Sequence, residues 1–152
     1  MMLDAGATHV VVMSQAHWAS VKEMVKAAAS RGGKVMADVL GAPDKAEAAR
    51  RMQELGADWI IVHTGFDERR HVKGLSPLLD LPAVLAAVTI PVQAVGGLSI
   101  DQAIQSVRMG ARSLVIGAPL AIQADRFAAG DEFESILRDV VQRVRETERE
   151  VS

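Results

Sequence analysis

Three times along this chain a glycine and an alanine stand just ahead of an apolar run. Ala5-Gly6-Ala7 precedes Val10-Val11-Val12, Leu55-Gly56-Ala57 precedes Ile60-Ile61-Val62, and Met109-Gly110-Ala111 precedes Leu114-Val115-Ile116. A glycine so placed lets a helix stop in the left-handed conformation before the chain turns into a strand. The glycines are spaced by 50 and then 54 residues, so each interval holds two strand–helix units. Alternate strands of a parallel barrel contribute to the same interior layers, so a two-unit period is expected there. An open doubly wound sheet has no such need.

Five short runs rich in β-branched residues and nearly free of charge read as strands: His9–Met13, Lys34–Val39, Trp59–Thr64, Val92–Val95 and Ser113–Ile116. They do not alternate cleanly between apolar and polar, as strands buried on both faces of a parallel sheet do not. Amphipathic stretches long enough for helices lie between and after them, at Trp18–Ser30, Lys45–Leu55, Leu78–Val88, Ile100–Met109 and Glu132–Glu148. Strand alternating with helix is the pattern of serial βαβ units. The fold class expected is therefore α/β, a single domain over residues 1–152 built as a partial parallel (β/α) barrel of the TIM type with five βα units. Five strands do not close a barrel that needs eight, and Met1–Gly6 reads as the last turn of a helix with its cap. Three preceding units are thus expected to be absent from this chain; the alternative is an unusual five-stranded half.

Composition narrows the function class. The apolar load is Ala, Val, Ile, Leu and Met, with two Trp, three Phe and no Tyr, as suits helices packed on buried strands. Net charge is -2 with signs interspersed, which suggests neither a nucleic-acid groove nor a membrane surface. Cysteine is absent, so disulfides and thiolate metal sites are excluded. No apolar run approaches the roughly 18 residues of a membrane span, and no secretion signal is legible. A cytoplasmic protein is expected.

In parallel α/β folds ligands bind at the C-terminal strand ends, so those ends are where chemistry belongs. Gly96-Gly97 follows the fourth strand and Gly117-Ala118 the fifth. Main-chain N–H groups and helix dipoles at two such adjacent turns make an anion site that needs no side-chain cation, although either glycine pair could also serve a tight turn alone. His63 stands at the mouth end of the third strand, and its near-neutral titration suits proton transfer. Asp38 ends an apolar run, where a charge is costly to bury unless it faces a polar mouth. It could bind a sugar hydroxyl or Mg²⁺, or simply cap the next turn. His17 has a mouth position and little else; His9 enters its strand from the far end. Glu68–Pro77 reads as a long polar loop, either a mobile lid drawn to a phosphorylated substrate or a solvated connector.

At these residues the sequence resembles the orotidine-monophosphate-decarboxylase-like group of barrels, and within it the 3-hexulose-6-phosphate synthase family. Ala5–Val12 is similar to that family's entry into its fourth strand, and Val62-His63-Thr64-Gly65-Phe66-Asp67 to its sixth-strand motif. Lys73–Leu78 is similar to the loop after it, and Val95-Gly96-Gly97-Leu98 and Val115-Ile116-Gly117 to its two phosphate-binding turns. The His-Thr-Gly-aromatic-Asp motif is fairly specific, whereas glycine turns are shared by many phosphate-binding barrels. On this resemblance the five units correspond to strands 4–8 of eight.

The resemblance implies an aldol reaction in which formaldehyde adds to ribulose 5-phosphate through a Mg²⁺-stabilised enediolate. It implies His63 as the proton shuttle and Gly96, Gly97, Gly117 and Ala118 at the phosphate of a pentulose or hexulose, in a homodimer; Asp38, from its place at a strand end, and Asp67, from the motif, are expected at the substrate. A related decarboxylase of 3-keto-gulonate 6-phosphate tends to carry Arg where this chain has Phe66 and Ala118, which favours the synthase. The group's Asp-x-Lys-x-x-Asp motif occurs nowhere in the sequence, and Lys22, Lys26, Lys34, Lys45 and Lys73 are placed wrongly to replace its lysine. No complete metal site is therefore expected in this chain, which should bind phosphate and catalyse little. A non-catalytic phosphate-binding or assembly module is the rival reading.

Overall fold

The computed structural model describes residues 2–117 and 132–151. In chain order its elements are β1 (His9–Met13), α1 (Trp18–Ala29), β2 (Lys34–Asp38), α2 (Lys45–Glu54), β3 (Trp59–His63) and α3 (Phe66–His71). A 3-10 turn (Pro77–Leu79) then leads to α4 (Leu81–Ala87), β4 (Val92–Val95), α5 (Ile100–Met109), β5 (Ser113–Val115) and α6 (Glu132–Glu150). The repeat glycines Gly6, Gly56 and Gly110 all adopt positive φ, at 95°, 99° and 111°. Each turns the chain in the left-handed conformation that the repeat demands.

All four strand pairs are parallel, and the spatial order β1-β2-β3-β4-β5 repeats the order in sequence. Residues of α1, α2, α4 and α5 share one core with the strands, as right-handed crossovers between successive parallel neighbours would arrange them. A doubly wound sheet would reverse its order partway and put helices on both faces. The progression is that of a singly wound parallel sheet, and among the described residues it is open, with β1 and β5 as its edges. Among the described residues β1 and β5 do not pair, in keeping with the expectation that five strands do not close a barrel.

Register assigns the two faces. Val12, Ala37, Ile60 and Val92 pair across β1 to β4 in a single row and are buried against Val21, Met52, Leu81 and Ala103 of the helices. The next row, Met13, Asp38, Ile61, Gln93 and Ser113, points the other way. On that second face Gln93 Nε2 donates to Ser113 Oγ at 2.8 Å. Val11, Met13 and Val115 are exposed there, most of all Val11 at 54%. The sequence reads these strands as buried on both faces; the open sheet buries one fully and the other only in part, at Asp38 and Ile61.

Asp58, just ahead of β3, ties that strand to β2. Its Oδ1 accepts from Lys34 Nζ at 2.8 Å and its Oδ2 from the Val35 N–H at 2.9 Å. Partial burial pushes its carboxyl upward, but these two hydrogen bonds and the Lys34 charge outweigh it and hold the group below the usual value. A carboxylate depressed by folding stabilises the fold above its unfolded pKa and loses that contribution as pH falls through the folded one. Asp58→Asn is accordingly expected to lower the urea midpoint at pH 7 and to converge on the unmodified chain as pH is taken below about 4. A gap of constant size from pH 7 to pH 3 would count against this role.

Candidate active site

β2 and β3 end side by side, and each ends on a polar residue. Asp38 is paired with Ile61 in register, so His63, two residues on, extends from the same face. The two side chains meet: His63 Nδ1 lies 2.9 Å from Asp38 Oδ2. The other carboxylate oxygen accepts the Leu40 N–H at 2.8 Å. Asp38 thus caps the turn after β2 and also holds the histidine. A carboxylate can only accept, so Nδ1 carries the shared hydrogen and neutral His63 presents a lone pair at Nε2. The Asp38 side chain is 11% exposed and that of His63 28%, which leaves the ring reachable and its anchor covered.

The glycine turn lies one strand further on. The Thr64 N–H donates to Val95 O at 3.1 Å, which draws the end of β3 against the Gly96-Gly97 turn. Gly96 has φ 128°, and a Cβ there would fall 2.3 Å from the Thr64 carbonyl oxygen. Only glycine fits. Gly97 has φ 61°, and a Cβ there would strike the guanidinium of Arg69, 1.9 Å from Nη1. Beyond the turn Ser99 caps α5: its Oγ accepts from Gln102 N at 3.2 Å while Gln102 Oε1 accepts from Ser99 N at 3.1 Å. Val95 pairs with Val115, so Gly117 follows the neighbouring strand end. A Cβ on Gly117 would meet nothing within 4 Å. Ala118 lies outside the described residues.

The structure departs from the sequence reading between β3 and α4. Glu68–Pro77 is not loop throughout, because α3 occupies Phe66–His71. Gly65 opens that helix, and its N–H donates to the Glu68 carboxylate at 2.6 Å. Acidic Asp67 and Glu68 in its first turn and basic Arg69, Arg70 and His71 in its last both suit the helix dipole. That charge order was the readable signal, in a stretch too short for apolar periodicity to show. Its consequence is Arg69, a residue the sequence reading passed over. Its Nε donates weakly to Thr64 O at 3.4 Å and its guanidinium lies 5.8 Å from the Phe66 ring centre.

Other candidates stay apart from this edge. Asp67 is exposed on α3, and no hydrogen bond or ion pair among the described residues joins it to Asp38 or His63. His17 caps α1, its Nδ1 accepting from Ala19 N at 3.3 Å. His9 pairs with Thr8 Oγ1 at 3.0 Å and meets the Trp59 ring edge-on. Thr64 Oγ1 is buried without a hydrogen-bond partner among the described residues. The described residues do not fit a Mg²⁺ site: no three His, Asp or Glu come together, and both oxygens of Asp38 are engaged. No helix among the described residues is long and apolar enough to cross a membrane.

No protein-family model matches the chain. It is 33% identical over 125 residues to 3-hexulose-6-phosphate synthase 3 of Staphylococcus saprophyticus, covering 82% of this chain and 59% of that protein. The chain spans about six-tenths of the length of the curated relatives it matches. Among solved structures it is similar to 3-hexulose-6-phosphate synthase from Salmonella typhimurium, with a TM-score of 0.78 and 24% identity over 99% of this chain and 66% of that one. It is also similar to 3-keto-L-gulonate-6-phosphate decarboxylase from Vibrio cholerae, with a TM-score of 0.71 and 19% identity over 100% of this chain and 65% of the other. Those two structural likenesses concern the fold.

Proposed function

This chain is a homologue of the 3-hexulose-6-phosphate synthases, and from that premise we propose that it carries the proton-transfer and phosphate-binding parts of a synthase-like aldolase site. The observation that supports this most directly is the pairing of His63 with Asp38 at one strand end, beside a glycine turn at the next. A ketose phosphate whose phosphate rests on the turn would present its carbon end toward the histidine.

In the aldol direction a proton leaves C1 of ribulose 5-phosphate, C1 bonds to the formaldehyde carbon, and the new alkoxide takes up a proton. The added carbon makes the former 2-ketone a 3-ketone. His63 Nε2 is the group that moves these protons, and Asp38 holds the ring and offsets its charge when it is protonated. The N–H groups of Gly96, Gly97, Gly117 and Ala118, with the start of α5, bind the phosphate. Mg²⁺ is expected by resemblance, but because the described residues do not fit it, no step here runs through it. Asp67 is part of the reading as a ligand for a substrate hydroxyl, and a homodimer as its assembly.

Since the sequence contains no Asp-x-Lys-x-x-Asp, binding is expected to exceed catalysis. Titration of the chain with ribulose 5-phosphate, followed by NMR, is expected to shift the Gly96 and Gly97 amides, while formaldehyde fixation stays slow. Full synthase turnover would overturn the incomplete-site part of the proposal. Silent glycine amides would overturn the phosphate site. The decarboxylase-like reading is separated by supplying 3-keto-gulonate 6-phosphate, which it requires to be consumed in preference.

A further inference from the structure

We propose that Arg69 is the cationic arm of the anion site at the Gly96-Gly97 turn, making that site selective for the dianion of a phosphate monoester. This rests on the phosphate-binding reading above and adds a residue to it. The turn was expected to hold an anion with main-chain groups alone. Helix α3, unexpected from the sequence, brings a guanidinium onto it.

Three observations carry the inference. The first is contact: a Cβ on Gly97 would lie 1.9 Å from Arg69 Nη1, 2.4 Å from Cζ and 3.1 Å from Nε. The guanidinium therefore lies flush on the glycine backbone, and any side chain at 97 would displace it. The second is its unused bonding capacity. Among the described residues no carboxylate forms an ion pair with Arg69. Adjacent Glu68 accepts the Gly65 N–H, and among the described residues the one side-chain hydrogen bond from Arg69 is the 3.4 Å contact to Thr64 O. The four Nη hydrogens remain for a ligand. The third is placement. Thr64 follows His63, so the weak contact to its carbonyl sets the cation at the strand end that carries the histidine as well as on the turn.

A planar guanidinium offers two parallel N–H donors to two phosphate oxygens and keeps its charge at any working pH. Main-chain N–H groups and a helix N-terminus favour any small anion; a full positive charge adds preference for the dianion. The competing role is packing, with the Arg69 stem covering Phe66 and its head capping Thr64. That role predicts lost stability with unchanged binding.

The test is calorimetric titration of the full chain with inorganic phosphate and with ribulose 5-phosphate, using Arg69→Gln, Arg69→Lys and the exposed neighbour Arg70→Gln. Arg69→Gln is expected to raise Kd for both probes about 10-fold or more, Arg69→Lys to recover part of the loss, and Arg70→Gln to change Kd by less than about 2-fold. Urea midpoints measured beside them separate packing from binding. The inference is overturned if Arg69→Gln binds as the unmodified chain does, if it binds more tightly because the arginine was blocking the turn, or if Arg70→Gln weakens binding equally. If the unmodified chain binds neither probe, the phosphate-site reading fails before any variant is compared, and this inference fails with it.

Discussion

Replacing His63 by alanine is expected to slow exchange of the C1 proton of ribulose 5-phosphate with D2O by about 10²- to 10⁴-fold, the range typical for loss of a positioned acid–base group. Asp38→Asn is the sharper companion. Asp38 accepts two N–H groups, one from His63 and one from Leu40. Asparagine has one acceptor oxygen and one NH₂, so one of those N–H groups must then face another donor. Either the turn after β2 loses its cap, or the ring rotates or changes tautomer and loses its lone pair at Nε2. The second outcome costs about 10²-fold or more in exchange rate. Following proton exchange by NMR reads the histidine's step without requiring overall turnover. An unchanged exchange rate in His63→Ala would remove the histidine from the chemistry altogether.

Gly96→Ala is expected to lower stability by about 4 kcal/mol, a large share of what holds a domain of this size. Two effects combine. A residue with a Cβ is strained at φ 128°, and the added carbon falls 2.3 Å from the Thr64 carbonyl, which belongs to the backbone at the end of β3 and cannot swing aside. Gly74→Ala separates them. Gly74 also has positive φ, at 83°, but nothing lies within 4 Å of its missing Cβ. Only the conformational strain remains there, about 1–2 kcal/mol. Urea denaturation of both variants measures the difference. If Gly96→Ala falls within 1 kcal/mol of Gly74→Ala, the close approach of the turn to Thr64 is not what the glycine serves.

The elements were legible because each rests on a local signal. Apolar runs mark the five strands, and each observed strand ends within one residue of its reading. Gly6, Gly56 and Gly110 announce their left-handed turns by position alone. The site was legible residue by residue but not as an arrangement. That Asp38 meets His63 follows from the Asp38–Ile61 register, and parallel register is set by packing across 22 residues of intervening chain, which leaves no local trace. Arg69 was hidden twice, first because α3 is too short to show periodicity, then because its contact with Gly97 spans a helix and a strand. The open sheet agrees with the count of five strands, whereas the two-unit glycine period describes only how successive units wind.

The sequential strand order has a kinetic consequence. With every strand beside its predecessor, the sheet behaves as a one-dimensional stack, and local opening proceeds from its ends. β2 and β3 each have a strand on both sides, so the Asp38–His63 pair is expected to ride on a segment whose amides exchange slowly. Gly96-Gly97 follows an interior strand but Gly117 follows an edge strand, so the anion turn straddles two levels of protection. Fraying at β5 would loosen the grip on a phosphate while leaving the histidine aligned, separating in time the release of a ligand from the integrity of the group that acts on it.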